Sequence, residues 1–97
     1  MKQIPIEAKS RLYEAVLKLK TAEECDAFFE DICTIKEVQD LSQRLWVASL
    51  LSEGKGYQEI SAMTGASTAT ICRVNKCLIY GRGGYRIALA DEEEENK

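Results

Sequence analysis

Apolar residues recur every three or four positions over the first half of the chain, the spacing of helices with one buried face. One such stretch runs from residue 5 to about residue 20, with Pro5 suited to the first helical position, and a second covers residues 25–32. A third follows Thr34 and continues to Gly54, which suits the end of a helix. The pattern predicts three helices within residues 5–54.

The second and third of these helices begin with a Thr-x-x-Glu sequence, Thr21 to Glu24 and Thr34 to Glu37. In such a capping box the threonine hydroxyl accepts the amide of the third helical residue, while the glutamate reaches back to a free amide before it. We therefore expect both helices to start at these threonines.

The third helix is apolar almost all round between Leu45 and Leu51, and a helix of that kind must be covered on every side. Two short upstream helices can hardly cover all of it. We expect the segment to form the centre of an interlocked homodimer; the alternative is a monomeric bundle with Trp46 on its surface. No stretch approaches the ~20 apolar residues that cross a bilayer, so no membrane partner is expected. The first residues also lack a signal-peptide core, which favours a cytoplasmic location.

The segment of residues 57–76 divides into two short helices around a tight turn. Gly65 stands where the first helix must stop, and Ser67 is suited to cap the second. Ile71 and Val74, three residues apart, would anchor the second helix to the core. This arrangement is typical of a helix-turn-helix unit.

The outer face of the second helix combines short side chains with two cations. Short polar and methyl-bearing side chains let a helix enter the major groove, where they contact base edges, while cations and the helix N-terminus attract phosphates. The alternative is that the threonines only start the helix, and that the protein is a helical dimerisation module binding a protein partner. The residues expected to contact double-stranded DNA are Ser67, Thr68, Ala69, Thr70, Cys72, Arg73 and Lys76.

The net charge of −3 is unevenly distributed along the 97 residues. Residues 1–53 carry −3, residues 54–90 carry +4 from five basic side chains and one acid, and residues 91–97 carry −4. The basic part includes the predicted helix-turn-helix unit, which favours DNA as its partner. We expect one domain over residues 1–90 and a disordered acidic tail over residues 91–97; a DNA-mimicking autoinhibitory tail is the alternative.

Catalytic and metal-binding patterns are lacking in the sequence. It has no His, and its four cysteines include no Cys-x-x-Cys pair and suggest no disulfide framework. No Ser, Cys or carboxylate has an evident base partner. We therefore expect a non-enzyme without metal, whose cysteines are small packing residues or bystanders that stay reduced.

Several stretches resemble the Trp repressor superfamily: LSQRLWV at residues 41–47, Gly54, and GASTATICRVNKCL at residues 65–78. The YGRGGY segment of residues 80–85 is similar to its YerC/YecD-like branch of small bacterial regulators. The resemblance implies an all-α, intertwined helical dimer. It also implies that paired recognition helices read palindromic operator DNA, with the protein acting as a transcriptional repressor.

The resemblance further implies a pocket for L-tryptophan between the third helix and the recognition helix. The two arginines that flank the indole in the repressor, and its pocket threonine, match Arg44, Arg73 and Thr34. Where the repressor has Gly and Ser, however, this chain has Val74 and Cys77. Because the valine adds volume where the indole would lie, neither L-tryptophan nor another small cofactor is expected to be required. The alternative roles are a helix cap for Thr34, an ion pair with an acid such as Asp40 for Arg44, and a phosphate contact for Arg73.

Overall fold

The computed structural model describes residues 3–91, which form six α-helices and no strand. The helices are α1 (Ile6–Leu17), α2 (Ala22–Ile32), α3 (Ile35–Ser52), α4 (Tyr57–Thr64), α5 (Thr68–Tyr80) and α6 (Gly84–Leu89). The prediction of an all-α protein is confirmed. Residues 92–97, most of the segment expected to form an acidic tail, lie outside the described part of the chain.

The chain divides into two compact units, residues 1–38 and residues 39–97. In the first unit, the described helices α1 and α2 contain no buried residue. The rings of Phe28 and Phe29 meet edge to face, with their centroids 5.4 Å apart. The apolar side chains of this unit therefore remain largely accessible in a single chain.

The predicted capping boxes start α2 and α3. Thr21 Oγ1 accepts a hydrogen bond from the amide of Glu24 at 3.0 Å. Thr34 Oγ1 accepts from the amide of Glu37 at 3.1 Å, and the Glu37 carboxylate accepts from the amide of Thr34 at 2.8 Å. The Glu24 carboxylate reaches back one residue further and accepts from the amide of Lys20 at 2.7 Å. These local bonds satisfy amides that the start of a helix leaves free.

The start of α1 and the end of α3 lie close to their predicted positions, whereas α6 was not predicted. Pro5 is the N-cap of α1, with an extended ψ of 154°, rather than the first helical residue. At the end of α3 the amide of Gly54 donates to Leu51 O at 3.0 Å, and that of Lys55 donates to Leu50 O at 3.1 Å. This is a Schellman motif, so the prediction that α3 stops at Gly54 is confirmed.

The hydrophobic core lies in the second unit, where residues from α3, α4, the following turn and α5 meet. The predicted anchors Ile71 and Val74 of α5 are both buried in it. In contrast, Leu45 and Trp46 of α3 are 42% and 47% exposed. The core consists of Val47, Ala48, Leu50, Ile60, Ala66, Ile71 and Val74, with Leu51, Leu78, Tyr85 and Leu89 packed at its edge.

Among the described residues, no helix combines the length and the apolar composition that crossing a membrane requires.

Candidate functional site

The turn between α4 and α5 has the geometry that the sequence predicts. Gly65 ends α4 in the left-handed conformation, with φ of 76°, and its amide donates to Ser61 O at 2.9 Å. Ser67 caps α5, because its Oγ accepts from the amide of Thr70 at 3.1 Å. A side chain other than glycine would be strained at Gly65, so this residue fixes where α4 stops.

Two further hydroxyl groups hold the turn closed. Ser61 Oγ donates to Ala66 O at 2.9 Å, while Thr64 Oγ1 donates to Ile60 O at 2.7 Å and accepts from the amide of Ala66 at 3.1 Å. The sequence analysis singled out neither Ser61 nor Thr64. Two hydroxyl residues shortly before a Gly-Ala turn were the available signal, because Ser and Thr hydroxyls commonly bond to nearby backbone groups.

The beginning of α5 presents small side chains to solvent. Ala69, Arg73 and Lys76 are exposed, and their spacing of four and then three residues places them on one face of the helix. Of the seven residues expected to contact DNA, five are exposed and two are half-buried. The exposed residues are Ser67, Thr68, Ala69, Arg73 and Lys76, and the half-buried ones are Thr70 and Cys72.

Within residues 3–91, no carboxylate forms an ion pair with Arg73 or Lys76 on this face. The ion pair between Lys55 and Glu59, with 3.8 Å between Nζ and Oε1, lies elsewhere in the unit. Arg86 of α6 instead donates through Nη2 to Leu78 O at 3.2 Å, near the end of α5. This bond joins α6 to a carbonyl that the helix end leaves free. The face of α5 therefore keeps its positive charge.

A cleft of about 180 Å³ lies beside α5. Four of the five residues predicted for a ligand pocket line it, namely Arg44, Arg73, Val74 and Cys77, together with Thr70 and Tyr85. The fifth, Thr34, belongs to the first unit, where its hydroxyl caps α3. Sequence reasoning missed Tyr85, although the residue ends the YGRGGY segment that carries part of the resemblance.

A wider, mainly apolar groove of about 590 Å³ shares Cys77 and Tyr85 with the cleft. Gly81 forms part of its wall, and a Cβ atom at this position would lie 2.2 Å from Cys77 O. Cys77 belongs to the last turn of α5, which Gly81 caps, so the way the chain leaves this helix requires glycine. The groove is lined by Leu45, Cys77, Gly81, Arg82, Gly84, Tyr85 and Ala88.

Metal-binding clusters do not occur within residues 3–91, and each of the four cysteines, all of which lie in that range, is free. Cys25 and Cys77 are exposed, whereas Cys33 and Cys72 are half-buried.

The fold and the α4–turn–α5 unit are those of a family of regulatory proteins. Residues 7–93 match the sequence model of the Trp repressor protein family, and the chain belongs to this family. YerC of Bacillus subtilis (strain 168), an uncharacterised protein, is 54% identical over 79 residues, which cover 81% of this chain and 76% of YerC. The resemblance predicted from the sequence is thus confirmed.

Two solved structures share the fold of the chain. A TrpR-like protein from Eubacterium eligens ATCC 27750 is 46% identical, with a TM-score of 0.81 over 89% of this chain and 94% of that one. A candidate Trp repressor from Staphylococcus aureus is 41% identical, with a TM-score of 0.83 over 97% of this chain and 96% of that one. The expected Trp-repressor-like fold is therefore confirmed.

Proposed function

We propose that the chain is a sequence-specific DNA-binding transcriptional regulator that represses genes by occupying palindromic operator DNA as a homodimer. The observation that carries this proposal is the exposed face of α5, on which small side chains precede the cations Arg73 and Lys76. Membership in the Trp repressor family supports the same function.

The first turn of α5 is suited to the major groove. Thr68 and Ala69 are small and exposed, so the helix backbone can approach the base edges closely. Their methyl groups can contact thymine, and the Thr68 hydroxyl can bond to a base or a phosphate. Arg73 and Lys76 lie further along the helix and would contact phosphates, which position the protein on the duplex.

The homodimer is supported by the apolar side chains that a single chain leaves exposed. A chain of 97 residues buries only about two-thirds of its unfolded surface, so association adds substantially to its stability. Extended exposed apolar surface generally marks an interface. The side chains concerned on α1, α2 and α3 are Ile6, Leu12, Tyr13, Leu17, Ile32, Ile35, Leu41, Leu45 and Trp46.

A two-fold dimer presents two copies of α5. Such helices read half-sites about one helical turn, or ~34 Å, apart, so the operator should be a palindrome. The proposed domain of residues 1–90 would contain all of these elements. We also propose that residues 91–97 form an acidic tail, separate from the DNA-binding domain of residues 1–90.

Selection from a random duplex library tests the proposal directly. We expect an enriched palindromic motif, whose affinity falls steeply with salt because bound cations release counterions from phosphates. Changing Arg73→Gln or Lys76→Gln should weaken binding to all sequences and reduce the salt slope by about 1 each. Changing Thr68→Ala should instead alter the preferred motif.

Lys18→Gln is the matched control, since it removes one positive charge from an exposed position outside α5. It should leave the salt slope almost unchanged. If no motif is enriched above random duplex, the proposal fails, and the helix-turn-helix unit is better explained as a surface for a protein partner. Repression itself is tested by a reporter gene placed behind the selected motif.

A further inference from the structure

An exposed stripe runs along nearly the whole of α5. Four exposed residues, spaced by four, three and four positions, lie on one side of the helix within about 60° of each other: Ala69, Arg73, Lys76 and Tyr80. The first three already belong to the proposed DNA-binding face. Tyr80, the last residue of α5, therefore stands on the same side of the helix as the residues proposed to meet the duplex.

Tyr80 is the most exposed of the four tyrosines. It is 84% exposed, compared with 53% for Tyr13 and 36% for Tyr57, whereas Tyr85 is half-buried. Within residues 3–91 its hydroxyl makes no hydrogen bond, and its ring meets no other aromatic ring. An aromatic side chain stabilises a fold through the area that it buries. The fold of a single chain therefore does not account for a tyrosine at this position.

The backbone that carries Tyr80 is held at the end of α5. The amide of Gly81 donates to Cys77 O at 2.9 Å. Arg86 Nη2, on α6, donates to Leu78 O at 3.2 Å. Both bonds fix the last turn of the helix, so the position from which the tyrosine side chain extends is set before any partner binds. Such preorganisation lowers the entropy that binding costs.

The stripe is longer than the major groove is wide. Ala69 and Tyr80 are eleven positions apart, which corresponds to ~16 Å along the helix axis, whereas the groove is ~12 Å wide. A recognition helix contacts base edges with its N-terminal residues. With Ala69 among the bases, the last turn of α5 would therefore lie beyond them, beside the sugar-phosphate backbone at the rim of the groove.

The side chains also lengthen along the stripe in this direction. Ala69 has a single methyl group, whereas Arg73, Lys76 and Tyr80 are long and carry a polar group at the tip. This order suits a helix whose first turn lies deepest in the groove and whose last turn stands farther from the duplex. Tyrosine hydroxyls are among the groups that contact phosphate in protein–DNA complexes, and a charged acceptor strengthens such a bond.

We propose that the hydroxyl of Tyr80 donates a hydrogen bond to a DNA phosphate at the rim of the major groove, and so sets how far the end of α5 stands from the duplex. Tyr80 is then a positioning residue, because phosphate contacts fix orientation and carry no sequence information. The proposal rests on the proposed function, since it needs a duplex on this face of α5. Contact of Tyr80 with a second copy of the chain is the competing outcome of the test.

The test compares the unmodified protein with Tyr80→Phe on the selected operator duplex. Phenylalanine keeps the ring and removes only the hydroxyl. We expect the affinity to fall about five- to tenfold, the range for the loss of one hydrogen bond. The preferred motif and the salt slope should stay unchanged, because neither a base contact nor a charge is lost. A changed motif, or a reduced salt slope, would overturn the assigned contact.

The contacted phosphate is located with operator duplexes that carry one neutral methylphosphonate at a time, at each position of the motif and its flanks. At one position per half-site the difference between the two proteins should shrink to less than about twofold, because a double-mutant cycle isolates the interaction between the hydroxyl and that phosphate. At all other positions the difference should remain. A difference that is the same at every position would contradict a direct contact.

Tyr85→Phe is the matched control, since it removes the same hydroxyl from a half-buried tyrosine of the same unit that is not part of the stripe. It should leave the affinity for DNA unchanged. Thermal unfolding of Tyr80→Phe should match that of the unmodified protein, because Tyr80 is exposed. Equal loss of affinity in Tyr80→Phe and Tyr85→Phe would overturn the proposal.

Failure of this proposal is distinguishable from failure of the proposed function. If the unmodified protein binds a selected motif and Tyr80→Phe binds it equally well, the role of Tyr80 fails and the proposed function stands. A raised dissociation constant of the dimer in Tyr80→Ala would then assign Tyr80 to contact with a second copy. If the unmodified protein selects no motif, the proposed function fails, and the phosphate contact of Tyr80 fails with it.

Discussion

The side-chain amide of Gln43 on α3 donates a hydrogen bond to the backbone carbonyl of Thr64, 3.1 Å away. Thr64 is the last residue of α4, and carbonyl groups at the end of a helix lack a partner within the helix. The bond therefore ties α3 to the turn that positions α5. Gln43 carries no sign of this role in its sequence surroundings, because its partner lies 21 residues further along the chain.

Replacing Gln43→Ala should lower the free energy of unfolding by about 1 kcal/mol, the usual net value of one such hydrogen bond. Urea unfolding at a fixed protein concentration measures it, since the stability of an associating protein depends on concentration. Gln58→Ala, at an exposed position of α4, should change the stability by less than about 0.5 kcal/mol. Equal effects of the two changes would show that the Gln43 bond does not stabilise the fold.

Gly81 and Gly84 should respond oppositely to alanine. A Cβ at Gly81 would lie 2.2 Å from Cys77 O, whereas one at Gly84 would have nothing within 4 Å. We expect Gly81→Ala to destabilise the protein by about 1–3 kcal/mol, the usual range for an overpacked site. Gly84→Ala, in the first position of α6, should be neutral or stabilise by up to about 1 kcal/mol. Thermal unfolding compares them, and a similar loss for both would contradict the assigned contact.

Trp46 should contribute to the interface of the proposed homodimer. We expect the unmodified protein to be dimeric at micromolar concentration in sedimentation equilibrium. Trp46→Ala should raise the dissociation constant at least about tenfold, because buried tryptophans commonly contribute more than 1 kcal/mol to an interface. Met63→Ala is the control, since Met63 of α4 is 46% exposed and Trp46 is 47% exposed. A monomeric mass for the unmodified protein would contradict the dimer.

L-tryptophan should not be needed for operator binding, and calorimetry should detect no binding of it tighter than millimolar. The double change Val74→Gly and Cys77→Ser should enlarge the cleft and raise the affinity for indole ligands. The same change should lower the stability by about 2 kcal/mol or more, because it creates a cavity and places Gly inside α5. Cys77→Ser alone is the control and should not create indole binding. Sub-millimolar binding of L-tryptophan to the unmodified protein would contradict this prediction.

The features that the sequence predicted correctly depend on residues close together in the chain. The capping boxes at Thr21 and Thr34 each join residues three or four positions apart. The left-handed Gly65 and the Ser67 cap likewise need only their immediate neighbours. Helix periodicity also identified Ile71 and Val74 as core residues, because one face of α5 repeats every three to four positions.

The candidate site was predictable in part. Arg44, Arg73, Val74 and Cys77 could be grouped only through the resemblance to a known family, and the structure brings them to one cleft. Tyr85 could not be added from the sequence, because its place in the cleft depends on how α6 packs against α5. Nor could the sequence show that Arg44 lacks an acid partner, since Asp40 stands at a spacing that permits an ion pair.

The sequence by itself determined where α2 and α3 begin, that α3 ends at Gly54, where α4 gives way to α5, which face of α5 is apolar, and which family the chain belongs to. Those properties follow from local hydrogen bonds and from periodicity, which are written in consecutive residues. Only the tertiary structure decided that Gln43 holds the end of α4 and that Tyr85 joins Arg44, Arg73 and Val74 around one cleft. Each of these depends on distances of a few ångströms between separate elements, and such distances are set by the packing of the whole unit.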